Sequence, residues 1–139
     1  MNLLRRIRND GNFRNEGERR GAEILSRLGH VLVCHNYHVR FAEIDLITIC
    51  GDFVHYVEVK NFTCSTAVHP LETLTGHKIK KMRLASACFV RDCEQMSLLL
   101  KAKNTVSKEL IPYIVSLQPS FDLLWVKKDE DFEYFQSLF

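Results

Sequence analysis

The stretch Glu43-Ile44-Asp45-Leu46-Ile47-Thr48-Ile49-Cys50-Gly51-Asp52-Phe53-Val54-His55-Tyr56-Val57-Glu58-Val59-Lys60 decides the fold. It holds two apolar, β-branched runs separated by Gly51-Asp52, and a glycine in the first position of a two-residue turn is what a type II′ hairpin prefers. With Gly51 and Asp52 as the turn, Cys50 opposes Phe53. Counting back along both strands, Asp45 faces Glu58 and Glu43 faces Lys60. Side chains alternate across a strand, so these four are expected on one face. Ile47, Ile49, Val54 and Tyr56 continue that face and predict that it is buried.

Two opposed, buried carboxylates repel each other and lose hydration unless a cation sits between them. A hard cation such as Mg²⁺ takes oxygen ligands and needs only one or two carboxylates beside water and phosphate. Lys60, two residues after Glu58, is placed to orient a water or to balance charge developing on a phosphate. The competing reading is a solvated face on which Glu43 pairs with Lys60 and Asp45 stands alone. The apolar continuation of the face argues against it.

Outward from the hairpin, Glu16 to Gly29 reads as a helix with Ala22, Leu25 and Leu28 on an inward stripe and Ile24 beside it. Glu18 falls on the same side, facing the sheet. Asn15 followed by Glu18 also fits a capping box, which would occupy that carboxylate locally. A second helix is expected from His77 into the nineties, with Met82, Ala85, Phe89, Cys93, Met96 and Leu100 as its buried stripe. A further helical segment could continue to Lys103. Lys78 lies one turn before Met82, able to reach carboxylates or phosphate or to snorkel out. Val31 to Arg40 reads as a strand, as does Phe121 to Lys127, and Phe132 to Phe139 as a strand or short helix. Pro112 and Pro119 leave residues 104–120 open. The order αβββαβ predicts a mixed β-sheet flanked by helices in a single domain over 1–139. Residues 1–12 are a basic segment with the composition of a disordered tail.

Gly17-Glu18-Arg19-Arg20-Gly21-Ala22, Gly29-His30, Asn36, Glu43-Ile44-Asp45-Leu46-Ile47, Val57-Glu58-Val59-Lys60, Lys78 and Phe121-Asp122 together resemble the YraN family of small bacterial proteins. The likeness covers about residues 14–90 and, less closely, 121–139. That family looks like a member of the PD-(D/E)XK nuclease superfamily, similar to archaeal Holliday junction resolvases. The resemblance implies a restriction-endonuclease-like α/β core with Asp45, Glu58 and Lys60 as catalytic triad and Glu18 as an accessory ligand. The mechanism expected from it has Mg²⁺ or Mn²⁺ held by Asp45, Glu58, the Val59 carbonyl and Glu18, with Glu43 and Lys78 beside them. Its implied reaction is hydrolysis of phosphodiester bonds in nucleic acid, DNA before RNA. The chain departs from the family at Ala42, where a glycine is usual, and at Asn61-Phe62, where Thr-Arg is usual. The second departure favours an alternative, a non-catalytic nucleic-acid-binding module that keeps the fold and a metal site. A third reading is a partner-binding protein with no nucleic-acid role.

Composition fits a soluble domain: 46% hydrophobic, 26% charged and a net charge of +2 over 139 residues, large enough to bury a core. The charge is uneven. Arg5, Arg6, Arg8, Arg14, Arg19 and Arg20 crowd the start, and Lys78, Lys80, Lys81 and Arg83 the second helix. Arg14, Arg19, Arg20, Lys80 and Lys81 are the expected phosphate contacts, a basic rim around an acidic site. There is no apolar membrane or signal segment, and a cytoplasmic location with reduced cysteines is expected. No glycine-rich phosphate loop or Ser/Cys nucleophile with a base is present. Cys34, His35 and His38 do not assemble a zinc set. His55, His69 and His77 have no evident partner in the sequence. A junction-cutting enzyme would call for a homodimer, two sites related by a two-fold axis.

Overall fold

A computed structural model describes residues 6–61, 68–103 and 114–139, with side chains left aside over 97–103. The elements run α1 (Glu16–Arg27), β1 (Val31–Val39), β2 (Ala42–Cys50), β3 (Phe53–Asn61), a 3₁₀ turn (Pro70–Thr73), α2 (Gly76–Lys103), β4 (Gln118–Val126) and β5 (Phe132–Phe135). One mixed sheet of five strands has the order β1-β2-β3-β4-β5. The first three strands form an antiparallel meander, β4 runs parallel to β3, and β5 returns antiparallel. A parallel neighbour needs a crossover connection, and α2 lies within it. The helical segment expected to follow α2 is the continuation of the same helix.

The hairpin turns where its sequence demands. Cys50 pairs with Phe53 and the register continues to Leu46 with Val57. Gly51 has φ +60 while Asp52 stays out of the left-handed region, the type II′ pattern.

Each face of the sheet carries one apolar cluster. Ile24 and Leu25 of α1 pack with Leu46, Val57, Leu124 and Val126. Met82, Ala85, Phe89 and Cys93 of α2 pack with Ile44, Ile47, Val54 and Tyr56 on the other side. Met96 is half-buried, and Leu100 lies outside the described side chains. The inward face of α1 differs from the expected stripe. Leu28 is 47% exposed because the helix ends at Arg27, with Leu28 as its C-cap and Gly29 in the left-handed region at φ +93. The buried face is instead Gly17, Glu18, Gly21, Ile24 and Leu25. Gly21 sets the approach: a Cβ there would stand 3.2 Å from Leu124 and 3.3 Å from Val59. That close approach brings Glu18, one turn earlier, down to the sheet.

The start of the chain also differs from expectation in its described part. Arg8 O accepts from His35 N at 2.8 Å, and Asn9 Nδ2 donates to Leu32 O at 3.1 Å. Residues 6–12 therefore lie along β1 and do not leave as a tail. His69 caps the 3₁₀ turn, its Nδ1 accepting from Leu71 N at 3.2 Å. β4 begins earlier than the sequence suggests, with Pro119 inside it. Proline is tolerated there because β5 pairs only from Leu123 to Val126, leaving the first half of β4 with one open edge. Among the described residues no helix is long and apolar enough to cross a membrane.

Candidate functional site

The β2–β3 ladder stops at Leu46 and Val57. From Ala42 to Ile44, β2 stays paired with β1, while β3 from Glu58 to Asn61 stays paired with β4. The two strands therefore part like a fork, and Asp45 and Glu58 are the first residues past the last pair.

The strict alternation expected for β2 fails at this level. Ile44 and Ile47, three residues apart, share one apolar cluster, and so do Cys34 and Tyr37 opposite them. Asn36, between Cys34 and Tyr37, has φ +50, a conformation asparagine tolerates better than most residues. It stands across from Asp45, since its neighbours pair with Leu46 and Ile44. The matched irregularity turns both side chains into the fork.

Asp45 Oδ2 accepts from the Val59 amide at 2.8 Å. Glu58 is buried between two ammonium groups: Lys60 Nζ is 3.2 Å from Oε1 and Lys78 Nζ is 3.0 Å from Oε2. The Lys78 contact is ionic and not a directed bond, for Glu58 Oε2 is buried with no hydrogen-bond donor. Glu18 comes in from α1. Its Oε2 accepts from Asn36 Nδ2 at 2.7 Å and its Oε1 from Asn15 Nδ2 at 3.3 Å, while its backbone N–H is capped by Asn15 Oδ1. The capping role and the inward position coexist.

Burial and the nearby Glu58 push the Asp45 pKa well above the ordinary carboxylate range. The Val59 amide pulls the other way, Glu18 adds to the rise, and Lys78 moderates it. Three carboxylates, contributed by α1, β2 and β3, thus share one electrostatic environment. Their hard oxygen donors, a Glu58 oxygen that accepts no hydrogen bond and the charge that burial and its neighbours oppose on Asp45 all suit a divalent cation. Among the described residues, no three potential ligand side chains already converge around one point, so a bound ion requires side-chain adjustment.

The other expected site residues are placed as follows. Glu43 does not meet Lys60; Arg14 holds it through Nη1 and Nη2, both at 2.7 Å, and keeps its carboxyl below the usual range. Val59 offers its amide to Asp45, and its side chain faces α1. Arg19 is paired with Glu16 and Glu23, and Arg20 donates to Lys127 O at 3.1 Å. The charge of Arg19 is thereby largely answered within α1. Lys80 is exposed and Lys81 half-buried near the start of α2. Asn61 lies against Gly17, and Phe62 is outside the described residues.

A second polar cluster escaped the sequence reading. Asp122 of β4 accepts from His55 Nδ1 at 2.6 Å, Ser120 Oγ at 2.6 Å, Ser137 N at 3.0 Å and the Tyr134 hydroxyl. Burial alone would raise the Asp122 pKa, but these bonds outweigh it and hold the carboxyl below its ordinary range. The His30 ring packs tilted against that of His55, centroids 4.6 Å apart, and meets Thr48 Oγ1 at 2.7 Å. The one signal for this cluster in the sequence was the Phe121-Asp122 pair.

Burial and then His55 hold the His30 pKa below the ordinary imidazole range, with Asp122 pulling upward. The folded chain thus takes this proton less readily than the unfolded one. Its stabilising effect is complete above about pH 6.5, the unfolded value, and falls as the solution becomes more acidic. Melting midpoints should drop from about pH 7.5 to about pH 5, and His30→Asn should flatten that slope. An unchanged slope in the variant would remove His30 from the account.

A mixed α/β domain whose forked sheet buries carboxylates under two lysines is the class that fold and site define. The chain belongs to the uncharacterised protein family UPF0102, which matches residues 17–126. The UPF0102 protein of Leifsonia xyli subsp. xyli is 36% identical over 75 residues, 54% of this chain and 64% of that protein. That of Chromohalobacter salexigens is 40% identical over 67 residues, 48% of this chain and 54% of the relative. The Chlorobaculum tepidum protein is 33% identical over 75 residues, covering 54% and 58%. The chain spans less than two thirds of the length of each of these relatives.

Proposed function

We propose that this chain is a nuclease-like domain of the PD-(D/E)XK kind that binds nucleic acid, DNA before RNA, and hydrolyses its phosphodiester bonds with Mg²⁺ or Mn²⁺. The observation that carries the reading is Asp45, buried at the fork beside Glu58 and Glu18 with more negative neighbours than its own charge can tolerate. Asp45, Glu58 and Glu18 are the residues that would hold the ion. When bound, it would supply a Lewis acid and a water of lowered pKa. Lys60 keeps its ammonium within reach of Glu58 Oε1, where it can orient a water or donate to a phosphate oxygen. Lys78 fixes the position of the other Glu58 oxygen from α2. Lys80 and Lys81 continue that positive edge and suit the phosphate backbone.

The paired lysines also favour a second reading. Lys60 and Lys78 already balance Glu58, which suits a non-catalytic nucleic-acid-binding module that keeps the fold and a metal site without turnover. Incubation with labelled single-stranded, duplex and four-way DNA in Mg²⁺ or Mn²⁺ separates the two. The parent should cut at least one substrate, with Glu58→Gln and Lys60→Met each slower by about a hundredfold or more. Salt-sensitive binding without cleavage would establish the module instead, and equal cutting by Glu58→Gln would end the nuclease assignment.

A further inference from the structure

Beside the fork, on the β1 side, the described residues line an open hollow of about 470 Å³. Three arginines line it, Arg6, Arg8 and Arg14, together with His38, the ring of Phe13 and the amides of Asn12 and Asn36. No carboxylate is among its lining residues. The acids that hold these arginines stand outside the hollow: Asp92 near Arg6 at 3.5 Å, Asp10 on Arg8 at 3.1 Å and Glu43 on Arg14. For Arg6 and Arg8 the nearest approach is through Nε, and at Arg6 it is ionic only, since that buried Nε has no hydrogen-bond partner. Their terminal nitrogens have no hydrogen-bond partner among the described residues.

Two arginines that line one hollow with terminal nitrogens unbonded among the described residues offer donors that suit the oxygens of a phosphate. Phe13 is held by the tilted His35 ring at 4.3 Å and by the α1-side apolar cluster, and the part of its ring that lines the hollow suits contact with a base. The volume is that of a small-molecule site, enough for one nucleotide and too small for a duplex. The hollow also adjoins the carboxylates through one residue. Asn36 accepts from the Arg14 amide at 3.3 Å and donates to Glu18 at 2.7 Å.

We propose that this hollow binds one phosphate-bearing nucleotide unit, the phosphate on Arg6 and Arg8 and the base on Phe13. As part of a strand, this unit would be an unpaired nucleotide next to the bond presented at the fork, a role that rests on the phosphodiester reading of the fork. The occupant could equally be a free nucleotide, and the test separates these sources.

The experiment is fluorescence anisotropy of a labelled oligothymidylate without divalent ions, over a range of salt, with dTMP as competitor and its own binding followed separately by titration calorimetry. Parent, Arg8→Gln, Arg6→Gln and Phe13→Leu are compared, each first shown by its melting curve to be folded. Arg8→Gln keeps the proposal testable if Arg6→Gln fails to fold, since Arg8 is the more exposed. Each arginine variant should lower the slope of log affinity against log salt by about 0.7, the value for one phosphate contact on a single strand. Phe13→Leu should weaken binding about fivefold or more and leave the slope unchanged. Parental affinity in all variants would overturn the hollow while leaving the fork's assignment standing. Failure of the parent to bind either oligothymidylate or dTMP would overturn it as well. Binding of dTMP alone, lost in Arg8→Gln, would uphold the nucleotide site and overturn the phosphodiester reading.

Discussion

Asp45→Asn should melt above the parent at pH 7 in the absence of divalent ions, and should lose cleavage. Asparagine keeps an oxygen for the Val59 amide and removes the charge that burial, Glu58 and Glu18 all oppose. The gain should be on the order of 1 kcal/mol, or about 4 °C for a domain of this size. Its pH dependence has a definite sign. A carboxyl whose folded pKa is raised holds its proton more tightly in the folded state. The parent therefore loses stability as pH rises from about 3.9, the unfolded value, through the folded one. Variant and parent should melt alike in acid and diverge towards neutrality, which calorimetry at several pH values would show. A variant less stable than the parent at pH 7 would mean that the carboxylates do not strain the fold. The expected result places stability and chemistry in opposition at one residue, as pre-organised sites often do.

Asp122→Ala should have the larger effect on stability, in the opposite direction. It removes the acceptor for His55, Ser120, Tyr134 and the Ser137 amide at once. His55 and Ser120 are buried, so their donors lose a partner that water cannot replace. A cost of about 3–5 kcal/mol follows, a large part of the roughly 5–15 kcal/mol that holds a domain together. The melting midpoint should fall by about 10 °C or more. Tyr134→Phe, which removes one donor, should cost about 1 kcal/mol. Hydrogen exchange should locate the loosening in β5 and the segment after it, where Leu138 N bonds Phe121 O at 2.9 Å. A midpoint within a degree or two of the parent's would show that the cluster does not hold the C-terminal strand.

The contrast between these two aspartates shows what the sequence could reveal. Asp45 was legible because its partners are local: a two-residue turn fixes the register, and the register carries it to Glu58. The link from Asn15 to Glu18 and the stripe of α2 were legible for the same reason, as spacings within one element. Asp122 was not, for its partner His55 lies in another strand joined through the whole crossover, and no spacing rule spans that distance. The break in alternation at Asp45 was hidden too. It depends on the left-handed backbone of Asn36, a state that the residue type permits without requiring it. Leu28 misled because periodicity continued past the point where Gly29 ends the helix. The grip of Arg14 on Glu43 was not legible either, a contact between residues 29 positions apart. The mixed sheet itself follows from the meander and crossover, and β5, left open in the sequence between strand and short helix, adds a fifth strand to the expected four.

Whether the fork holds a divalent cation through Asp45 is read most directly from a pair of melting curves. The parent and Asp45→Asn are each melted with and without millimolar Mn²⁺. Binding to the folded state alone raises the midpoint by mass action. The account predicts a rise for the parent that disappears in Asp45→Asn, even though the variant starts from the higher midpoint. An equal rise in both proteins, or none in the parent, would contradict it.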